Sequence, residues 1–373
     1  MYELKYIKGV VNAAHPRALR NSTVRASDRL KVALKRYQPP AARPDGITLI
    51  FLHCTGYQKE VWEAIIGDIF NSVDDGVPIR EAIAMDWVGH GDSAVLNEGK
   101  LGFEVRWMDG ARDILELIAQ LNIPQPIVTV GHSMGAGQAL AACHMHPSLF
   151  QSTIAIEPVT YPFSPASLTS QTIAALVRMP DQFPDHESAV QFIKSTPARF
   201  FDKQVLQNLL ENGFYEKKNA DGETIVALKS NTLQQAAVYV SAPESLEELA
   251  SRLPFITTPT LLVFAANAKW NDASTPAAVS AAVKTSESLV IPEARHMVPL
   301  ESPEVIASII RLNLGKVWSN WEVNARREAA TSADAVRREV EYGFERLIED
   351  IDNLADLSRK LNALLKLNVR NKL

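Results

Sequence analysis

Cysteine is scarce. The 373-residue chain holds two, Cys54 and Cys143, with neither the spacing of a metal site nor the pairs of a disulfide framework. A disulfide scaffold is therefore excluded, and a reducing, intracellular compartment is expected. Long apolar runs are missing too: no stretch approaches the roughly 18 residues of a membrane-spanning helix, and the first residues, Met1 to Lys8, lack the apolar core of a secretory leader. A soluble protein is expected. Nor is there an excess of positive charge. Thirty-eight Lys and Arg against 43 Asp and Glu leave a net charge of −5 with the signs interspersed, which provides no basic stripe for nucleic acid and no polybasic run for an anionic membrane. No internal repeat is visible. What the composition does supply is 46% hydrophobic residues, enough for one large domain with an insertion or for two ordinary ones, with a small molecule as the default partner.

The stretch from Ile127 to Leu140 organises the rest. A β-branched run ends in Gly131-His132-Ser133-Met134-Gly135 and passes directly into a small-residue helix, the strand–turn–helix context of a nucleophile elbow. Both glycines are needed there because strand and helix approach closely around a strained serine. Taken alone, the five-residue pattern also arises by chance at a helix N-terminus. Upstream, strands Glu3 to Lys8 and Leu30 to Tyr37 predict an antiparallel hairpin, and Ile47 to His53 a strand buried on both faces. Val61 to Ile69 reads as a helix, Ile83 to Asp86 as a strand, and Val105 to Leu121 as a helix; after the elbow come helix Met134 to His146 and strand Ser152 to Ile156. Strands alternating with helices predict the α/β class, with a mostly parallel, doubly wound sheet.

Residues 158–255 break that rhythm with several Pro and Phe residues, a charged turn region from Glu211 to Gly222 and a helix-like Val226 to Tyr239, and they read as an inserted helical lid. The core, begun in residues 1–157, resumes in residues 256–316 with strands Pro259 to Phe264 and Ser288 to Ile291 and a closing helix Ser302 to Ile310. Residues 317–373 form a C-terminal helical extension. In it Val336, Val340, Phe344, Leu347, Ile351, Leu354, Leu361 and Leu365 make one apolar stripe, interrupted at Ser358. Packing of this stripe on the body is expected, with a homodimer through a short coiled-coil-like seam as the alternative.

Serine is a weak nucleophile near neutral pH and needs a base to take its proton. His296 supplies one, on a loop between the last apolar strand and the closing helix, the place of the histidine in the order Ser, acid, His. His132 adjoins Ser133, but neighbours on a sharp turn point apart, and His53 and His90 lie in loops that shape the site. Two positions compete for the acid. The place about four residues beyond the strand Leu261 to Phe264 is Ala268, and Asp272 lies four residues further on. Alternatively Glu157 ends the strand beside the nucleophile's own, at the sheet edge where catalytic groups gather. A carboxylate there without a partner would be costly to bury, which favours Glu157 over Asp272. The backbone N–H groups of Met134 and Thr55 are expected to form an oxyanion hole, with Cys54 standing where glycine is common. Cys54 itself lacks an elbow and an identifiable base. The glycines of Asp86 to Ser93 do not follow a phosphate-loop pattern, and His144 and His146 lack further ligands, so neither metal nor cofactor is expected.

GHSMG, LLVF, RHMVPLESPEVI and the DWVGHGDSA loop resemble the α/β-hydrolase superfamily over about residues 30 to 315. HGDSAVLNEGKLG, WMDGARDILELI, GHSMGAGQAL, PSLF and IEPV are similar, more narrowly, to the fungal peroxisomal hydrolases, a group that includes a yeast peroxisomal lipase, a hydrolase linked to AK-toxin and the acyl-CoA hydrolase of mycophenolic acid synthesis. In that group the acid follows strand six, so the resemblance implies Glu157, although the mycophenolic member carries Asp there. The group's members end in variants of the peroxisomal tripeptide. Asn371-Lys372-Leu373 is one residue from Ser-Lys-Leu, which implies an import receptor as partner and the peroxisome matrix as location, the cytoplasm being the alternative; the Asn departs from the usual small residue. The implied activity is a serine hydrolase cleaving a carboxylic ester or an acyl-CoA thioester. Its rivals are a lactonising or cyclising enzyme and a binding protein on the same fold. Epoxide and haloalkane chemistry is disfavoured because those enzymes place Asp at the elbow.

Overall fold

The β-branched and aliphatic runs of the first half become strands β1 (Lys5–Asn12), β2 (Lys31–Gln38), β3 (Ile47–Leu52), β4 (Ile79–Met85), β5 (Ile127–His132) and β6 (Ser152–Ile156). Among them lie α1 (Glu63–Asn71), α2 (Gly91–Leu96), α3 (Trp107–Leu121) and α4 (Met134–Met145). This computed structural model describes residues 4–71, 76–160, 166–270 and 274–370. After β6 the chain runs through α5 (Ala166–Arg178), β7 (Gln182–Phe183), α6 (His186–Ser195), α7 (Lys203–Asn212), β8 (Phe214–Lys218), β9 (Thr224–Leu228), α8 (Thr232–Val240) and α9 (Ala242–Arg252). It then returns to the sheet with β10 (Thr260–Ala265), α10 (Thr275–Ala282) and β11 (Ser286–Ile291), followed by α11 (Val298–Glu301), α12 (Pro303–Ala330) and α13 (Ala333–Arg370).

Eight strands form one sheet in the order β1-β2-β4-β3-β5-β6-β10-β11. It is antiparallel where β2 meets β1 and β4, and parallel from β4 to β11. The expected mostly parallel, doubly wound sheet is what forms. Its period of two explains the unbroken apolar run of β3: Leu49 and Phe51 face a layer with Ile65 and Phe70 of α1 and Ile306 and Ile310 of α12, while Ile50 and Leu52 face a layer with Ile114 of α3 and Leu140 of α4. Both layers are buried, so β3 and β5 at the centre are mainly apolar, with Thr48, Thr129 and His132 as their polar side chains.

Several elements differ from the sequence reading. β1 continues through Gly9 to Asn12, because Val10, Val11 and Asn12 keep pairing with Ala33, Val32 and Lys31. The helix expected from Val226 starts only at Thr232, where Asn231 accepts from the N–H groups of Leu233 and Gln234 as a cap. Ile225 and Val226 instead pair across β8, so the region from Glu211 to Gly222 is the end of α7 and a hairpin strand rather than turn alone. The closing helix does not stop at Ile310 but runs as α12 to Ala330.

The described residues fall into two compact units, Met1–Trp318 and Ser319–Leu373. In the second, taken by itself, Val336, Val340, Phe344, Leu347, Ile351 and Leu354 are exposed; the side chains at 361 and 365 fall outside those described, as does the tripeptide Asn371-Lys372-Leu373. Among the described residues no helix is long and apolar enough to cross a membrane.

Candidate active site

β5 ends in the elbow. Ser133 adopts φ 56° and ψ −116° between the strand and α4, a conformation that L residues rarely hold without support from their surroundings. Ser133 N–H donates to Ile156 O on β6 at 3.0 Å, which ties the turn to the neighbouring strand. The glycine spacing follows from contact: a Cβ on Gly131 would sit 2.6 Å from Ala136 Cα, and one on Gly135 would collide with Leu52 O of β3.

The structure brings three expected residues together. His296 Nε2 lies 3.0 Å from Ser133 Oγ, and His296 Nδ1 lies 3.0 Å from Glu157 Oε2. The bonding assigns the tautomer: Nδ1–H donates to the carboxylate, which leaves the Nε2 lone pair to accept the Ser133 hydroxyl proton. Glu157 follows β6 with a positive φ of 47°, unusual for a residue with a side chain. This twist aims the carboxylate across to β10, where Oε1 accepts from Ala265 N–H at 2.6 Å while Glu157 N–H donates to Val263 O at 2.7 Å. Its side chain is 1% exposed. The alternative acid, Asp272, lies outside the described residues.

Thr55 and Met134 meet on the other side of Ser133, the Thr55 hydroxyl donating to Met134 Sδ at 3.6 Å. Met134 opens α4, so its N–H has no acceptor inside the helix. The Thr55 loop is pinned by His53, whose Nδ1–H donates to Cys54 O at 2.8 Å while Nε2 accepts from Trp87 N–H at 3.2 Å. Cys54 does not act as a thiolate, since burial pushes its thiol up to about 12.

Three features were missed by sequence reasoning. Lys59 is fully buried and binds Asp86 Oδ2 at 2.8 Å and Asp92 Oδ2 at 2.7 Å; Asp92 also takes Lys229 from the chain between β9 and α8. Tyr239 stacks on Trp270, whose ring centroid lies 6.2 Å from that of His296. Finally, the His132 side chain does not point idly away but reaches the backbone of His296. Only the third has a visible signal, a polar residue at a strand position where neighbours are apolar.

A cavity of about 470 Å³ opens on Ser133 and His296. Its walls include Leu176 of α5, Met179 just after that helix, Phe192 of α6, Tyr239 of α8, Leu246 of α9 and Trp270. Among the described residues, no Asp, Glu, Lys or Arg lines it. No group of three or more His, Cys, Asp or Glu side chains that could hold a metal ion is found among the described residues.

Burial also holds three histidines of this region neutral. It pushes His53 down to about 4, and His90 and His132 well below the ordinary histidine value. Below about pH 6.5 the unfolded chain takes up these protons and the folded chain does not, so each histidine removes about 1.4 kcal/mol of stability per pH unit until its folded value is reached. Asp86, which burial raises to about 6, and Asp113, which burial also raises, work the other way over part of this window, against these three histidines and His144, which burial also lowers. The urea midpoint is therefore expected to fall between pH 7 and pH 5; a midpoint that stays level or rises contradicts this.

A parallel sheet with the serine elbow at its centre, histidine and carboxylate delivered at the same edge and an apolar cavity above them defines a hydrolase scaffold, and the chain belongs to the Alpha/beta hydrolase family, which residues 49–309 match. Within it, the chain is similar to the "Peroxisomal membrane protein LPX1" of Saccharomyces cerevisiae, at 29% identity over 333 residues, 81% of this chain and 84% of that protein. The solved structure of the yeast peroxisomal alpha-beta-hydrolase Lpx1 superposes with a TM-score of 0.76 at 25% identity, covering 94% of this chain and 99% of that one. The "Type I acyl-CoA thioesterase mpaH" of Penicillium brevicompactum is 32% identical over 192 residues, 49% of this chain but only 44% of that protein.

Proposed function

We propose that the protein is a serine hydrolase that cleaves carboxylic ester or acyl-CoA thioester bonds through an acyl-enzyme. The observation that carries the reading is the continuous chain from Ser133 Oγ through His296 to Glu157 Oε2. Ser133 Oγ attacks the acyl carbon as His296 Nε2 takes its proton, and Glu157 stabilises the imidazolium through Nδ1. The carbonyl oxygen becomes an oxyanion facing the N–H groups of Met134 and Thr55. As the C–O or C–S bond breaks, His296 returns the proton to the leaving alcohol or thiol. Water then enters and attacks the acyl carbon as it gives a proton to His296; as the bond from the acyl carbon to Ser133 Oγ breaks, His296 returns that proton to Oγ, which releases the acid and restores the serine. No cofactor takes part.

Residues 158–255 act as the lid over the cavity, and residues 317–373 form a C-terminal helical extension whose exposed apolar stripe suits pairing with a second copy of the chain. The names of the yeast relative support a peroxisomal location.

The cavity sets the acyl class. A carboxylate at the far end of the acyl chain would be buried there with no cation among the described lining residues, a cost of several kcal/mol. For acyl-CoA and p-nitrophenyl esters of matched length, a neutral acyl group is expected to give a kcat/KM at least about 100-fold above its ω-carboxylated counterpart. Free CoA is measured alongside the released acid, so that hydrolysis is separated from cyclisation. Equal turnover of neutral and charged acyl groups contradicts this account of the cavity, and cyclised product without free acid contradicts hydrolysis.

A further inference from the structure

His132 Nε2 lies 2.8 Å from the backbone oxygen of His296, and the two imidazole rings stand 5.1 Å apart. The acceptor is a carbonyl, so the proton sits on Nε2 of His132 and is donated. The ring is fully buried. Its other nitrogen, Nδ1, has no hydrogen-bond partner among the described residues, so the His296 carbonyl accounts for all of the ring's hydrogen bonding. An apolar side chain of similar size would fill the same space without burying an unpaired nitrogen. Packing alone therefore does not explain a histidine here.

We propose that His132 is a positioning residue for the acyl-transfer reaction: its Nε2–H clamps the His296 carbonyl and so fixes the base relative to the nucleophile. This rests on the assignment of Ser133 and His296 made above. The geometry explains why the clamp belongs at this position. β5 is a central strand, and its last residue and the one that follows carry the clamp and the nucleophile. The loop from Pro292 to Met297 has no strand of its own behind His296; a turn from Arg295 O to Val298 N–H at 3.0 Å and the Asn267 N–H donated to Ala294 O at 2.9 Å hold its ends. Glu157 fixes the ring from one side through Nδ1. The tie from His132 fixes the backbone that carries the ring. With both in place, the gap from Nε2 to Ser133 Oγ is set by a rigid strand rather than by a loop.

Burial also keeps the clamp uncharged. Other titratable groups facing this ring are His296 and His53, and a proton on His132 would oppose the imidazolium that forms on His296 during acyl transfer.

Three forms are compared in the full chain: His132→Leu, which fills the space without a donor; His132→Gln, whose amide N–H reaches a similar point; and wild type. His132→Leu is expected to lower kcat by about 10- to 100-fold, the scale of a misplacement near 1 Å. KM should stay within about two-fold and the unfolding midpoint at or above that of wild type. His132→Gln is expected to recover most of the lost kcat. The labelling rate of Ser133 by a fluorophosphonate should follow the same order, which shows the loss to lie in activation of the serine. Four outcomes overturn the proposal: wild-type kcat in His132→Leu, equal losses in the Leu and Gln forms, a loss that appears in KM alone, or a fall in kcat that merely tracks a lowered midpoint. If instead wild type and all variants fail to label at Ser133, the assignment of the nucleophile fails, an outcome distinct from failure of the clamp.

Discussion

Ser133→Ala is expected to lower kcat on a short-chain p-nitrophenyl ester about a million-fold, the scale on which a triad loses activity when its nucleophile is removed. The change deletes one oxygen and keeps the Cβ, so the elbow keeps its backbone strain and its Ser133 N–H bond to Ile156 O. The unfolding midpoint should hardly move. Residual rate above water would come from the donors of Met134 and Thr55 and from substrate binding, which the variant retains. The measurement is single-turnover release of p-nitrophenol beside a thermal melt. Undiminished turnover with an unchanged melt would remove Ser133 from the mechanism.

The second large effect concerns the acid. Glu157→Gln is expected to cost about 10,000-fold in kcat, as when a triad carboxylate becomes an amide. The carboxylate accepts from two donors at once, Ala265 N–H and His296 Nδ1–H. An amide has only one acceptor oxygen. If that oxygen keeps Ala265, the NH2 faces His296, and the imidazole must move its proton to Nε2, where it can no longer accept from Ser133. Asp272→Asn is expected to stay within about three-fold of wild type, since that change removes nothing from the chain of Ser133, His296 and Glu157. Measuring both variants side by side decides between the two candidate acids, and a larger loss in Asp272→Asn reverses the assignment.

Much of this architecture is legible in the chain because parallel strands buried on both faces leave continuous apolar runs and the candidate catalytic groups follow such strands directly. Ser133 comes after β5, Glu157 after β6, and His296 lies in the loop after β11. The run of β6 is recovered to the residue, since Gln151 and Glu157 mark its ends sharply. The strand β9 is not legible: Ile225 and Val226 serve a helix stripe as well as a hairpin, and the pairing with β8 that decides the matter is non-local. Lys59 is misleading for the opposite reason. A lysine beside a helix start reads as surface, yet Asp86 and Asp92, distant in sequence, close around it and balance its charge. His132 is legible as a residue but not as a role. The role proposed for it depends on where the loop of His296 returns, which only the assembled sheet determines.

The most direct test of the central claim is covalent. Wild-type protein incubated with a fluorophosphonate is expected to gain one adduct, located by peptide mass spectrometry on Ser133. His296→Ala should slow that labelling steeply, and Ser133→Ala should abolish it while keeping its fold. An adduct of the same extent in Ser133→Ala, or no adduct in the folded wild-type protein, would contradict a serine nucleophile activated by His296 and Glu157.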